Sequence, residues 1–242
     1  IPDASGNGND GISLGMTSAN LVLSDLTRAL PYDSYSFNFD GVNDYIDCGN
    51  TLGSGYSSIS VSSWVNFDNP NVALREEIIS KDDGSNRSFA LFKLSNSDWA
   101  AYGTLGFLVN DGTTTSNATV SQADFTPVAD TWYHVLGTWD GANIKLYING
   151  ELKKTTAFSA SNLDTNTVNV LIGDSSVTGS YFINGKISNC SIFDEALTST
   201  EVMKLYSNGM PQDLSSFTPA PVSWWTLGSN SFFNGTNYIC RD

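Results

Sequence analysis

The sequence predicts an all-β protein, a two-sheet antiparallel jelly-roll sandwich with one short C-terminal helix. Three observations carry that expectation. Residues 59–67 alternate between Ile59, Val61, Ser63, Val65, Phe67 and the intervening Ser60, Ser62, Trp64, Asn66, a period of two with one apolar face, as in a half-buried strand. Asn149-Gly150 sits between two strand-like runs, the signature of a type I′ hairpin, because both central residues must take positive φ. A single segment has helical character: Thr198-Ser199-Thr200-Glu201 forms a capping box, and Val202, Leu205 and Tyr206 follow at helical spacing.

In chain order, strands are expected over 35–39, 44–48, 58–67, 76–81, 87–94, 104–110, 116–121, 132–139, 143–149, 151–157, 167–173, 183–193 and 222–227. Many short strands with regular turns, such as Asp140-Gly141, read as a sandwich. The helix is expected to stop near Gly209, which supplies a C′ residue, and Pro211 prevents continuation. Residues 211–221 are rich in Pro and Ser and read as a linker. They divide a sandwich at 1–210 from a closing strand segment at 222–242.

With 242 residues the chain can enclose one large core. Aromatic residues make up 12% and charged residues only 15%, so Ser, Thr, Asn and Gly must cover much of the surface, as in extracellular β proteins. The net charge of −14 excludes a nucleic-acid binder, which needs clustered Lys and Arg. No apolar run approaches the ~20 residues of a membrane helix. Three cysteines are too few for a disulfide scaffold. The first residue is not Met, so the chain is expected to be processed or excised from something longer.

A series of stretches then resembles the laminin G-like jelly-roll module of the concanavalin A-like lectin/glucanase superfamily. They are Asp3-Ala4-Ser5-Gly6-Asn7-Gly8-Asn9-Asp10-Gly11, Phe39-Asp40-Gly41-Val42-Asn43-Asp44-Tyr45-Ile46-Asp47 and Ile59-Ser60-Val61-Ser62-Ser63-Trp64-Val65. Trp132-Tyr133-His134-Val135-Leu136-Gly137-Thr138-Trp139-Asp140-Gly141, Leu146-Tyr147-Ile148-Asn149-Gly150 and Asn184-Gly185-Lys186-Ile187-Ser188-Asn189 follow, and then Ile192-Phe193 and Ala196-Leu197-Thr198 lead into the helix. The resemblance implies two sheets packed face to face, one of them concave. It also implies a Trp-x-Leu strand just before the Asp3–Gly11 loop. Here the equivalent Trp225-Thr226-Leu227 lies at the back. The chain therefore reads as complete in content and permuted in order, its tail packing either in cis or on another copy. Tandem units with such a lead-in resemble those of phage virion and bacterial surface proteins.

No enzyme is expected. The superfamily's hydrolases carry Glu-x-Asp-x-x-Glu on one strand, and none of Glu76, Glu77, Glu151, Glu195 or Glu201 begins that pattern. His134, the only histidine, falls inside a structural strand motif. Cys48 and Cys190 are expected as core thiols, with a bridge between them left open.

Calcium is the cofactor to consider, since it takes six to eight oxygens from carboxylates, amides and carbonyls. One donor set is Asp83 and Asn86 with Asp174, resembling the calcium-binding rim of pentraxins by strand order. The other is Asp3 and Asp10 of the opening loop. Tyr147, Trp64, Trp99 and Tyr102 are the candidate sugar platforms, and Trp224, Trp225 and Leu227 the candidate assembly residues. Two readings result. One is a non-catalytic extracellular or virion structural and adhesion module, self-associating by strand complementation or binding glycans, with copies of itself, neighbouring modules or glycans as partners. The other is a calcium-dependent carbohydrate-binding lectin domain or an accessory module of a glycoside-active enzyme. The expected location is extracellular, on a cell surface or in a virion.

Overall fold

Alternating apolar residues on facing strands bury one another, and the result in this computed structural model is a pair of stacked antiparallel sheets. It describes residues 1–242 except 24–34, 53–54, 177–180, 229–230, 235, 237 and 241–242, and the side chains of residues 99, 232, 239 and 240. The first strands are β1 (Ile12–Leu14), β2 (Leu21–Leu23), β3 (Tyr35–Asp40), β4 (Tyr45–Asp47), β5 (Ile59–Phe67), β6 (Glu76–Asp82) and β7 (Arg87–Lys93). The short helix α1 (Trp99–Tyr102) precedes β8 (Leu105–Asn110), β9 (Thr115–Thr119), β10 (Trp132–Trp139), β11 (Asn143–Ile148), β12 (Glu151–Ala157), β13 (Leu171–Ile172) and β14 (Asn184–Phe193). Helix α2 (Ser199–Tyr206) is followed by β15 (Ser223–Trp225), β16 (Ser231–Phe233) and β17 (Tyr238–Cys240).

The first sheet has the order β1-β4-β13-β6-β7-β8-β9, and the second β12-β11-β10-β5-β14-β3-β2. Between them lies one core that includes Phe37, Phe39, Val61, Val65, Phe89, Phe107, Trp139, Ile187 and Trp225. The second sheet is covered on its other face as well. There Leu136, Tyr147, Phe193 and Trp224 pack against Val202 and Leu205 of α2, Leu197 before it and Leu214 beyond it. This explains why β5 is buried along its whole length although its sequence alternates.

The helix cap forms as expected: Glu201 N donates to Thr198 Oγ1 at 3.3 Å, and Thr198 N donates to Glu201 Oε2 at 2.7 Å. The helix stops two residues earlier than Gly209 suggests, because Ser207 itself adopts the left-handed conformation and donates its N–H to Met203 O. The Asn149-Gly150 turn has positive φ at both residues, 51° and 78°. A Cβ on Gly150 would lie 2.7 Å from Met203 Sδ, so the same glycine lets α2 settle on the turn.

The tail packs in cis. β14 pairs with β3 through residues 184–187, then with β15 through Cys190–Ile192, so the tail strand takes over where β3 stops. A bulge between Ser188 and Ser191, with Asn189 at φ 50°, marks the handover. Consecutive strand residues face opposite ways, which sends Trp225 into the core and Trp224 into the cluster under α2. Trp224, Trp225 and Leu227 are all buried. The opening loop clasps them. Asp3 Oδ1 accepts from Trp224 N at 2.7 Å, Ala4 N donates to Trp224 O at 2.6 Å, and Trp225 Nε1 donates to Asn9 O at 2.8 Å. Tyr238 of β17 lies edge-on to Phe37, and its hydroxyl donates to Ser18 O.

The structure adds elements, shortens one and leaves the two core thiols unbridged. Strands β1 and β2, helix α1 and the hairpin β16–β17 carry too little periodicity in three or four residues to be read from sequence. The strand expected at 167–173 shrinks to Leu171–Ile172. Cys48 and Cys190 are separate, buried thiols. Burial pushes the Cys48 thiol well up and the Cys190 thiol to about 12, and Cys190 Sγ lies 3.3 Å from Ser63 Oγ.

Candidate functional site

Of the four aromatic candidates, Trp64 and Tyr147 stand away from the core as their alternation requires, yet neither is accessible. Trp64 stacks on Tyr206 of α2 with centroids 5.9 Å apart, and Tyr147 lies under the same helix. The covering helix, which strand alternation does not reveal, buries both candidate platforms. His134 shares this stack. Its Nε2 lies 2.8 Å from Ser62 Oγ, and burial lowers its pKa to about 3, so it is neutral and structural. Trp99 opens α1, and its side chain lies outside the described residues. Tyr102, at the other end of α1, is 66% exposed.

Helix α1 is held at both ends. Asn96 N donates to Val72 O and its side chain to Asn71 O, while Asp98 O accepts from Ala101 N and Tyr102 N. Gly103 then reverses the chain at φ 98°, where a Cβ would come within 2.2 Å of Val120 O. Only glycine fits that position, and it fixes where Tyr102 is presented.

Tyr102 forms one wall of a cleft of about 510 Å³. Opposite it is the turn after β9, where Ser121 Oγ donates to Asp124 Oδ2 at 2.6 Å and Asp124 N donates to Ser121 O. Gln122 and Thr119 add amide and hydroxyl groups, and Lys153 and Lys154 enter from β12. Lys153 pairs with Glu151 at 2.7 Å, and Lys154 has no ion pair among the described residues. The cleft lies where both sheets end, since β9 and β12 are edge strands in contact with each other. An exposed aromatic ring beside hydroxyl, amide and ammonium groups can stack on a pyranose and hydrogen-bond its hydroxyls. Two further hollows offer less. One, about 480 Å³, lies against 160–165 with no aromatic wall, and another, about 600 Å³, holds Phe217, which packs on Phe193. Of the residues lining this cleft, the sequence singled out Tyr102 and none of the lysines.

The metal candidates are engaged in the hydrogen bonds of their own loops. Asp83 Oδ1 accepts from Ser85 N and Asn86 N, and Oδ2 from Asn86 Nδ2, closing an Asx turn. The Asn86 side-chain bond and these backbone bonds hold the Asp83 carboxyl below its usual value. Asp174 Oδ1 accepts from Tyr181 N, and burial raises its pKa to about 6. Asp3 accepts from Ser5 N, Ser5 Oγ, Asn9 N and Trp224 N, and Asp10 Oδ1 accepts from Asp3 N. Among the described residues no three His, Cys, Asp or Glu side chains converge. The oxygens of both donor sets thus already accept backbone, amide or hydroxyl donors within their own loops.

On the outer face of the first sheet, Arg75 pairs with Glu77 at 2.7 Å and covers the Phe92 ring at 3.9 Å. Burial raises the Glu77 carboxyl to about 7, against the pull of Arg75. Glu76 pairs with the buried Lys93 at 2.9 Å. Both neighbouring glutamates are thus engaged in buried ion pairs, on opposite faces of β6.

A profile described as the concanavalin A-like lectin/glucanases superfamily, of the laminin G type, matches residues 40–203. Among curated proteins, the human adhesion G-protein coupled receptor D1 is 29% identical over 122 residues, 45% of this chain and 14% of the receptor. Among solved structures, domain 4 of AbnA, a GH43 extracellular arabinanase from Geobacillus stearothermophilus, in complex with arabinotriose, superposes with TM-score 0.60. It is 18% identical, over 85% of this chain and 92% of that one. The botulinum neurotoxin serotype D binding domain gives TM-score 0.59 at 20% identity, over 85% of this chain and 47% of that one. The chain spans about half the toxin domain and a small part of the receptor. At these identities the solved structures establish the jelly-roll fold. Their printed descriptions are of carbohydrate-bound or binding domains. Among the described residues no helix is long and apolar enough to cross a membrane.

Proposed function

The chain belongs to the concanavalin A-like lectin/glucanases superfamily, and from that membership we propose that it is a non-catalytic, extracellular glycan-binding module working in adhesion at a cell or virion surface. The observation that carries this reading is the cleft between α1 and β12, where Tyr102 stands 66% exposed beside polar groups. The arabinotriose-bound arabinanase domain and the name of the adhesion receptor support it from outside. The non-catalytic reading is supported by Glu76 and Glu77, which are held in separate ion pairs and face opposite sides of a strand. The Asx and backbone hydrogen bonds at Asp83 and Asp3 favour binding without calcium.

The experiment is a glycan array with the wild-type chain and Tyr102→Ala. We expect binding to at least one glycan class, weakened about tenfold or more in the variant, ~1.4 kcal/mol. No binding, or equal binding by the two proteins, would overturn the reading. Self-association through Trp224, Trp225 and Leu227 competes with it only if the clasp opens, since all three residues are buried on their own sandwich. A monomeric elution in size-exclusion would count against that route.

A further inference from the structure

We propose that the ligand of the cleft is an acidic sugar, one that carries a carboxylate, and that Lys153 and Lys154 recognise it. The proposal rests on the glycan-binding reading above and specifies its ligand class. The register of β11 with β12 carries the argument. Leu146 pairs with Lys154 and Tyr147 with Leu152, so Lys153 is an extra residue, a bulge. In a regular strand two consecutive lysines would face opposite sides. A bulge re-aims side chains, and here both lysines line the same hollow.

Lysines on an edge strand also guard unpaired backbone against further strand pairing. That role asks only that they stand in solvent. It does not account for two lysines turned together into a cleft opposite an exposed tyrosine. Charge points the same way. The chain holds 11 Lys and Arg against 25 Asp and Glu, so its overall field repels acidic glycans. The charged groups lining the cleft are Lys153, Lys154 and Asp124, a local excess of positive charge. The Asp124 carboxylate is partly satisfied by Ser121 Oγ. Glu151, the partner of Lys153, is 72% exposed, so that ion pair is weak and readily exchanged for a ligand carboxylate. Lys154 has no ion pair among the described residues to give up.

The test uses two matched ligand pairs: a galacturonic acid oligomer against the corresponding galactose oligomer, and sialyllactose against lactose. Titration calorimetry of the full chain at low and moderate salt reads the preference. We expect the acidic member of at least one pair to bind about tenfold or more tightly, with the margin shrinking as salt rises. Lys153→Gln combined with Lys154→Gln brings the ratio within each pair to about one, and Tyr102→Ala weakens both members. Lys154 is exposed and Lys153 half-buried, and an unchanged melting curve verifies the fold. Equal or tighter binding of the neutral members, still dependent on Tyr102, overturns the acidic ligand and leaves the glycan-binding reading standing. A preference that survives the double lysine variant overturns the role of the lysines. Absence of binding to all four probes, together with an empty glycan array, overturns both.

Discussion

The two long sides of the sandwich end in opposite ways. On one side the tail completes the second sheet: β15 lies against β14, Asp3 takes the Trp224 N–H, and Tyr238 seals the end against Phe37. On the other side β9 and β12 are the last strands of their sheets, and the space beside them is the cleft under Tyr102. Where backbone groups are met by backbone, the side chains are free to build core, and the result is stability. Where an edge is guarded by side chains, those side chains remain available for recognition. The same jelly roll thus separates an edge closed by backbone from an edge lined by side chains.

The largest expected effect tests the closed side. Trp225→Ala empties a fully buried indole site and should cost about 3–5 kcal/mol in urea unfolding. Binding of whichever glycan the array identifies should persist in the folded fraction; a loss below ~1 kcal/mol would mean that the tail is not part of the core. Asp3→Ala comes next. It leaves the donors of Ser5, Asn9 and Trp224 without their acceptor and should cost about 2–4 kcal/mol by the same measurement.

A pH series separates both sides from the face between them. Glu77 has its folded pKa raised from 4.5 to about 7 by burial, and Asp174 from 3.8 to about 6. The folded state therefore holds more protons than the unfolded state in these windows. Stability from these groups is fully present below their unfolded pKa values and is lost as pH rises through about 6 and 7. Buried His134, with its pKa lowered from 6.5 to about 3, works in the opposite sense, so melting temperatures should fall between pH 5 and 7 by the equivalent of only about 1–2 kcal/mol, and Glu77→Gln should flatten most of that slope. A slope that is unchanged in Glu77→Gln would place its origin elsewhere.

The open side should respond in the reverse sense. Tyr102→Ala is a surface change and should alter stability by no more than ~0.5 kcal/mol while weakening glycan binding about tenfold. A large stability loss would break the contrast between the two sides. The smallest effect expected is none: EDTA should leave glycan binding unchanged, and a chelator-sensitive affinity would restore calcium to the site.

The fold was legible wherever a residue type has one physical use. Asn149-Gly150, Thr198 with Glu201, and the β5 alternation each predicted what they form. The site was legible only in part. Trp64 and Tyr147 do face away from the core, but a covering helix is a tertiary fact, and strand periodicity carries no trace of it. At Asp83 and Asp3 the sequence does not separate two uses, because Asx turns and calcium loops draw on the same residues. Lys153 and Lys154 were overlooked because alternation assigns them to opposite faces, and only the bulge unites them.

The clasp has a mechanical consequence. Asp3 and Ala4 meet the tail strand at Trp224, so a pull applied between the front loop and residue 227 would load these bonds and the short β14–β15 ladder before the central strands of either sheet. In such a linkage the tail would detach under tension while the seven-stranded sheet and the cleft beside it stayed intact. A module tethered at that corner would yield at its own fastening and leave the edge strands β9 and β12 undisturbed.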